Sequence, residues 1–306
     1  MKNLKIYKKE PIKHHLFRKA LSLALALGVY LAPILTHQNV SSIQNVPYKV
    51  QRTARFERIA SFNLKDRYND IFYNGVVGDK DYAKTVAEYL VDNDISLLGT
   101  QELVAGYSDR LEGYLPLYGI YGEYRQGGRA LVSYANERCG IVTDEEVIST
   151  TTTWLPYVPK NLGMILKNPF DIMPRVATVS VINFDSIGET AVINTHLDYK
   201  LDEIQESQLD ALYNLIEEAK ANYPVIVMGD FNMILNKPIF RNFILRLEKI
   251  GIYLVQFSNT KENDKNIRID QAFISNNLVL EGAKLVYDGV ALTSDHPLLE
   301  FEVSRK

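Results

Sequence analysis

Apolar runs of strand length recur along this chain, and five of them stop abruptly in a small cluster of Asp, Glu, Asn or His. They are Ile59-Ala-Ser-Phe-Asn63, Ile95-Ser-Leu-Leu-Gly-Thr-Gln-Glu102, Thr190-Ala-Val-Ile-Asn-Thr-His-Leu-Asp198, Pro224-Val-Ile-Val-Met-Gly-Asp-Phe-Asn232 and Leu292-Thr-Ser-Asp-His-Pro297. A buried strand reads as a continuous apolar run, so a carboxylate or imidazole at its end lies at the rim of the sheet. Five such deliveries from distant parts of the chain imply one converged polar site. Strands are expected near residues 57–64, 95–101, 118–124, 130–136, 176–184, 190–197, 224–230, 269–275, 284–287 and 298–303. Helical spacing joins Tyr82, Val86, Tyr89 and Leu90, and again Leu209, Leu212, Ile216 and Ala219. A third helix is expected from Pro238 to Ile250, with the proline in its first turn. Many strands with a few interleaved helices predict an α/β (α+β) fold, two packed sheets with helices outside. The stretch 154–174, with Pro156, Pro159, Pro169 and Pro174, reads as a long loop near the site.

At 306 residues and 46% hydrophobic composition the chain suits one large domain or two modest ones. Its single cysteine, Cys139, excludes an intramolecular disulfide framework and a cysteine-based zinc site, and reads as a buried thiol. Residues 1–36 stand apart. Lys2, Lys5, Lys8, Lys9, Lys13, Arg18 and Lys19 precede an uncharged run, Ala20 to Leu35, that resembles a secretory signal or signal anchor. The basic end is expected to stay in the cytoplasm while the rest is exported, and the 20–35 run is a candidate membrane contact. Residues 37–55 read as a polar linker, and residues 56–306 as one catalytic domain, expected to act as a monomer. Taking the 7 basic and 1 acidic residues of the leader from the chain's 34 and 37 leaves 27 against 36, a formal charge of −9. An acidic domain has no long-range attraction for a polyanion, although bound divalent cations offset that locally.

The clusters have a chemistry in common. Phosphodiester hydrolysis needs charge neutralised on phosphoryl oxygens, an activated water and help for the leaving oxygen. Glu102, Asp230, Asn232, Asn63 and Asp295 supply the oxygen donors that hard ions such as Mg²⁺ take. Of the five histidines, His14, His15 and His37 lie in the leader or linker, which leaves His196 and His296 as the domain's imidazoles. Both sit in strand-end clusters, placed for acid–base work.

In order, Phe62-Asn63, Gln101-Glu102, Asn194-Thr-His196-Leu-Asp198, Gly229-Asp230-Phe231-Asn232, Arg268-Ile-Asp270 and Ser294-Asp295-His296 resemble the motifs of the endonuclease/exonuclease/phosphatase superfamily across roughly residues 57–303. That resemblance implies a four-layer α/β/β/α sandwich of two mainly antiparallel sheets and a hydrolase dependent on Mg²⁺ or Mn²⁺. It implies that Asn63 and Glu102 bind the metal, with Asp295 completing the metal or water network. Asp230 orients or deprotonates water, and Asn232 holds the phosphoryl group. His296, its tautomer fixed by Asp270, acts as acid or base. His196 lies near the leaving group, and Arg175 on the substrate side. Asp198 serves equally well to start the next helix and is left out of the site. Gln271, after Asp270, stands where many relatives carry an aromatic residue, which bears on substrate preference.

Three readings of function stay open on these residues: a nuclease cutting DNA or RNA, a sphingomyelinase-like hydrolase of phospholipids or small phosphodiesters, and a surface module without catalysis. Arg125-Gln-Gly-Gly-Arg129 is either a phosphate-contacting loop or a hairpin turn. Trp154, Leu155, Tyr157, Leu162, Met164, Ile165, Leu166 and Phe170 are either a lipid-touching surface or core.

Overall fold

A computed structural model of the chain describes residues 55–65, 75–77, 80–125, 136–156, 174–258 and 268–306. Through them run β1 (Glu57–Asn63), β2 (Val76–Val77), β3 (Lys80–Asp81), α1 (Tyr82–Asp92), β4 (Leu97–Val104), α2 (Ala105–Tyr114), β5 (Gly119–Tyr121), β6 (Glu137–Thr143) and β7 (Glu146–Leu155). Then come β8 (Arg175–Phe184), β9 (Gly188–His196), α3 (Asp202–Lys220), β10 (Val225–Asp230), α4 (Pro238–Lys249), β11 (Ile252–Leu254), β12 (Asp270–Ser275), β13 (Leu278–Val286), a short 3-10 helix (Gly289–Thr293) and β14 (Leu298–Arg305).

Two six-stranded sheets result, in the orders β13-β14-β1-β4-β6-β5 and β11-β12-β10-β9-β8-β7. The central pair of each is parallel, β1 with β4 and β9 with β10, and the flanking pairs are antiparallel. Alternation along each strand sorts its side chains to opposite faces. Ile59, Leu97, Ile226, Met228, Leu299 and Phe301 fill the layer between the sheets. Ala60, Phe62 and Leu98 face outward onto Val86, Leu90, Tyr107 and Leu111 of α1 and α2. On the other side Val225, Val227 and Phe273 meet Leu212, Ile216, Phe240 and Phe243 of α3 and α4. Three apolar interfaces between four layers of structure make the α/β/β/α sandwich expected from the sequence. Each large side chain in them contributes roughly 1.5–3 kcal/mol by leaving water.

Local signals agree with the helix ends. The Asp81 side chain caps α1 by accepting from the Lys84 backbone N–H at 3.0 Å. Asp202 and Glu203 open α3 and Lys220 closes it, matching the helix dipole.

Three differences from the sequence expectation stand out. Strands β6 and β7 over 137–155, one in each sheet, were not anticipated, and Trp154 and Leu155 finish β7 rather than opening a loop. Helix α2 was not anticipated either. The strand expected at 130–136 falls outside the described residues except for Asn136, which is in no strand. Residues 1–54, the end of the Arg125–Arg129 stretch and the apolar segment 157–173 also lie outside them. Among the described residues no helix is long and apolar enough to cross a membrane.

Candidate active site

Both parallel pairs end at one edge of the sandwich, so β1, β4, β9 and β10 deliver Asn63, Glu102, His196 and Asp230 to the same place. Carboxyl ends of parallel strands are where a sheet opens a crevice. Register does the rest: Asp230 lies opposite His196 on one side and opposite Asp270 on the other.

Backbone irregularities aim the individual groups. The β4–β6 ladder slips between Thr100 and Leu103, and Glu102 takes a left-handed φ of 57°. A bulge of this kind re-aims a side chain, and here it turns Glu102 toward Asn63. Asn232 is left-handed too, at φ 51°, and its backbone N–H donates to Asp230 Oδ1 at 2.8 Å. Non-glycine residues in this region cost about 1–3 kcal/mol and collect at functional sites. Gly229 has φ 146°, and a Cβ there would stand 2.0 Å from the Thr195 carbonyl oxygen. Only glycine lets β10 approach β9 this closely.

Beneath the site two amides tie the sheets together. Asn194 Nδ2 donates to the Thr100 and Gly140 carbonyls, each at 2.8 Å, and its Oδ1 accepts from Gln101 Nε2 at 2.7 Å. Above them Asn63 Nδ2 donates to Glu102 Oε1 at 3.1 Å and to Asp230 Oδ2 at 3.0 Å, so one amide joins a carboxylate from each sheet. His296 Nδ1 meets Asp270 Oδ2 at 2.8 Å. Ser294 fixes the loop bearing His296, donating through Oγ to the Asn63 carbonyl at 2.7 Å.

The charges follow from burial and neighbours. Burial pushes Asp230 up to about 6, helped by the negative charge of Asp270 and opposed by His296. Burial also disfavours a charged His296, but the hydrogen bond and charge of Asp270, with Asp230 and Asp295 behind it, prevail and raise it to about 10. His296 is therefore an imidazolium at neutral pH. His196 is held well below its ordinary value by burial and then by the charges of Arg175, Arg125 and His296. The 3.6 Å approach of His196 Nε2 to Asp230 Oδ2 is thus a contact of a neutral ring with a carboxylate, not an ion pair.

Every site residue expected from the sequence is described, and most converge. Asn63, Glu102, Asp230, Asn232, Asp270, His196 and His296 form one contiguous set. Asp295 sits at the rim, 58% exposed at its side chain, paired with Lys65 Nζ at 2.5 Å. Burial raises Asp295, but the Lys65 hydrogen bond and the charge of His296 bring it below the ordinary carboxylate range. Arg175 is buried one strand beyond His196, with β9 between it and β10. Asp198 accepts from the backbone of Lys200 and Leu201 at the entry to α3, the helix-starting role. Arg268 donates to Gln271 Oε1 at 3.1 Å, leaving Asp270 to His296. Sequence reasoning missed Lys65, Ser294 and the Gln101–Asn194 brace. Gln101, Asn194 and Ser294 all fall in the motifs that carry the resemblance, but their bracing roles need the fold.

The sequence matches the endonuclease/exonuclease/phosphatase family over residues 60–296. The chain belongs to this family. Members of it hydrolyse phosphate esters, and the site has the acidic, imidazole-bearing composition that such a reaction uses. No curated protein is similar enough in sequence to count as a relative. Among solved structures, a family member from Bacteroides vulgatus is similar at 21% identity and TM-score 0.63, covering 82% of this chain and 99% of its own. A mannosyl-6-phosphatase from Bacteroides thetaiotaomicron aligns at 18% identity and TM-score 0.60, over 81% of this chain and 99% of that one. The human Nocturnin catalytic domain, solved with a bound sulfate, aligns at 15% identity and TM-score 0.62, over 85% and 97%. These likenesses establish the fold.

Enzymes of the family generally use a divalent metal, and this donor set fits one. Three carboxylates and an amide converge, Asp270 Oδ1 is buried without a hydrogen-bond partner, and His296 is the cation among them. Asp230, Asp270 and His296 place ligand atoms within 4.8 Å of one another. A protonated imidazole has no lone pair to give, so His296 with Asp270 is better matched to proton transfer than to ligation. Glu102, a partly exposed hard oxygen donor, is the better matched ligand; buried Asn63 turns its Nδ2 to the carboxylates and its Oδ1 to the Lys65 backbone N–H at 2.9 Å.

Proposed function

We propose that this protein is a Mg²⁺-dependent phosphodiesterase, a nuclease by first choice, working as an exported monomer with residues 1–36 as signal or membrane anchor. The carrying observation is the bridge of Asn63 between Glu102 and Asp230, with the Asp270–His296 pair alongside. On this reading Glu102 serves a hard ion, Asp230 orients water and His296 donates a proton, all within one cluster. Mg²⁺ or Mn²⁺ held by Glu102 and Asn63, with Asp295 once it leaves Lys65, would neutralise charge on the phosphoryl oxygens.

This chain's own groups do the rest. Asp230, raised toward neutrality and fixed by two donors, orients the attacking water and takes its proton. His296 gives a proton to the leaving oxygen, and Asp270 keeps it charged and aligned. Neutral His196 offers a ring N–H to the phosphoryl group, and Asn232, anchored by donation to the Leu197 carbonyl at 2.9 Å, carries its backbone there. Beside His296 lies a cavity of about 480 Å³, walled by Ile269, Tyr287, Ala291 and Leu292, ample for the alcohol of a leaving group. Buried Arg175 stands on the opposite flank, at the start of β8.

A second reading, a phospholipid or small-molecule phosphodiesterase, draws on the apolar side of that cavity and on Leu292, which is 74% exposed. The test is a panel of plasmid DNA, RNA, sphingomyelin and a chromogenic phosphodiester with Mg²⁺, Mn²⁺ or EDTA. Cleavage of nucleic acid with Mg²⁺ and none with EDTA is expected. Sphingomyelin cleavage with nucleic acids intact transfers the assignment to the lipid reading. Turnover that survives Glu102→Ala and His296→Ala overturns the site, and a biological role that survives their loss of turnover points to a non-catalytic module.

A further inference from the structure

The end of β1 and the turn after it cover three carboxylates of the site with hydrogen-bond donors. Asn63 Nδ2 reaches Glu102 and Asp230, and two residues on, Lys65 Nζ meets Asp295 Oδ2 at 2.5 Å. The Asn63 amide is fixed at both ends, since its Oδ1 accepts from the Lys65 backbone N–H at 2.9 Å. Lys65 takes a left-handed φ of 56°, unusual for a residue with a side chain. One residue thereby engages Asn63 through its backbone and Asp295 through its ammonium. Ser294 Oγ, donating to the Asn63 carbonyl at 2.7 Å, holds the loop of Asp295 against this turn.

Asn63 and Asp295 are also residues from which oxygen ligands for a divalent ion are expected. A divalent ion on the Asp295 carboxylate would stand close to the Lys65 ammonium, and like charges so placed repel. The two cations therefore compete. With Lys65 40% and Asp295 58% exposed at their side chains, the pair is of the weak, solvated kind, worth a factor of about five at most. That weakness suits a contact which a stronger ligand has to displace. A ligand that needs Asp295 free has its apparent affinity lowered by the fraction of molecules in which the carboxylate is engaged.

We propose that Lys65 is a built-in counter-ion: its ammonium must leave Asp295 before a divalent ion takes that carboxylate, and Lys65 so sets the affinity of the metal site. The inference rests on the metal-dependent phosphoesterase reading above. Its chemistry is an exchange of cations on one carboxylate, ammonium out and hard divalent ion in. Lys65 is thus a positioning residue, acting on the site through Asp295.

Titration of the full-length protein with Mn²⁺ tests this without requiring turnover, after EDTA treatment and removal of the chelator. The electron paramagnetic resonance signal of free Mn²⁺ reports binding. Lys65→Met is expected to tighten Mn²⁺ about three- to fivefold, the size of an exposed ion pair. Lys65→Arg keeps the wild-type affinity, and Asp295→Asn weakens binding. In the Asp295→Asn background Lys65→Met is expected to change nothing further, because the pair is already broken. Unaltered or weaker binding by Lys65→Met overturns the proposal. So does equal tightening in the Asp295→Asn background, which assigns the effect to a nearby positive charge rather than to release of the carboxylate. Thermal midpoints in EDTA show that each variant is folded; if Lys65→Met is not, Lys65→Gln carries the comparison. A wild-type protein that binds no Mn²⁺ removes the counter-ion and the metal-dependent reading together, whereas binding that Lys65→Met leaves unchanged removes the counter-ion alone.

Discussion

The two sheets share a plan, six strands with a parallel pair at the centre, yet they equip the site differently. The sheet of β9, β10 and β12 contributes His196, Asp230 and Asp270, all 5% exposed or less, backed by the Phe231, Phe240, Phe243 and Phe273 cluster. The sheet of β1 and β4 contributes buried Asn63 from the end of β1 and, through a bulge in β4, Glu102, which is partly exposed. The buried half sets protonation states, because desolvation and fixed neighbours dominate there. The open half suits an exchangeable ion.

Removing the charge at the centre of the buried half gives the largest effect. Asp230→Asn is expected to lower turnover by about 10³-fold or more, on the order of 4 kcal/mol. It is also expected to stabilise the metal-free protein. The folded value of about 6 lies above the ordinary 3.8, so the native preference for the proton is fully met below 3.8 and is lost as pH rises through 6. The variant's advantage, on the order of 1–3 kcal/mol, therefore opens across that window and persists above it. Denaturant melts in EDTA at pH 4 and pH 8 check it, and an equal difference at both would refute the charge account.

Gly229→Ala attacks the same half through its backbone, since the added Cβ meets the Thr195 carbonyl oxygen at 2.0 Å. A loss of about 3 kcal/mol or more is expected in the unfolding free energy, read from denaturant melts. Asp270→Asn separates proton control from packing. It should cost roughly 10²-fold in turnover, and NMR titration should find the His296 pKa several units lower. An unmoved His296 would mean that Asp270 does not hold its charge. The smallest effect sharpens the open half: Glu102→Gly should be more stable than Glu102→Ala by about 1 kcal/mol, reversing their usual order, because the position is left-handed.

How much of this was legible follows from what alternation can carry. Strands such as Val225–Asp230 are apolar on both faces and end in a carboxylate, so both the element and its rim group were visible. The stretch 149–155 was not, since four successive threonines, Thr150 to Thr153, on a half-exposed edge strand carry no hydrophobic period. Helix α2, with Gly106, Ser108 and Gly113, has little amphipathic signal and owes its place to Tyr107 and Leu111 packing under β4. Arg125 and Arg138 read as surface charges in a linear sequence. Only the fold reveals that one is sealed against Glu137 and the other laid on Tyr124. The pairing of Asp270 with His296 was legible through the family resemblance, and strand register sets Asp270 opposite Asp230 as well.

The hydrogen bond from Ser294 to the Asn63 carbonyl spans 231 residues of chain, and that from Asn63 to Asp230 spans 167. Such distant closures are late and slow events in folding. A refolding population should regain activity no sooner than these distant contacts close. Recovered activity then serves as a clock for the meeting of the chain's two ends at β1 and β14 and of the two sheets at Asn63 and Asp230.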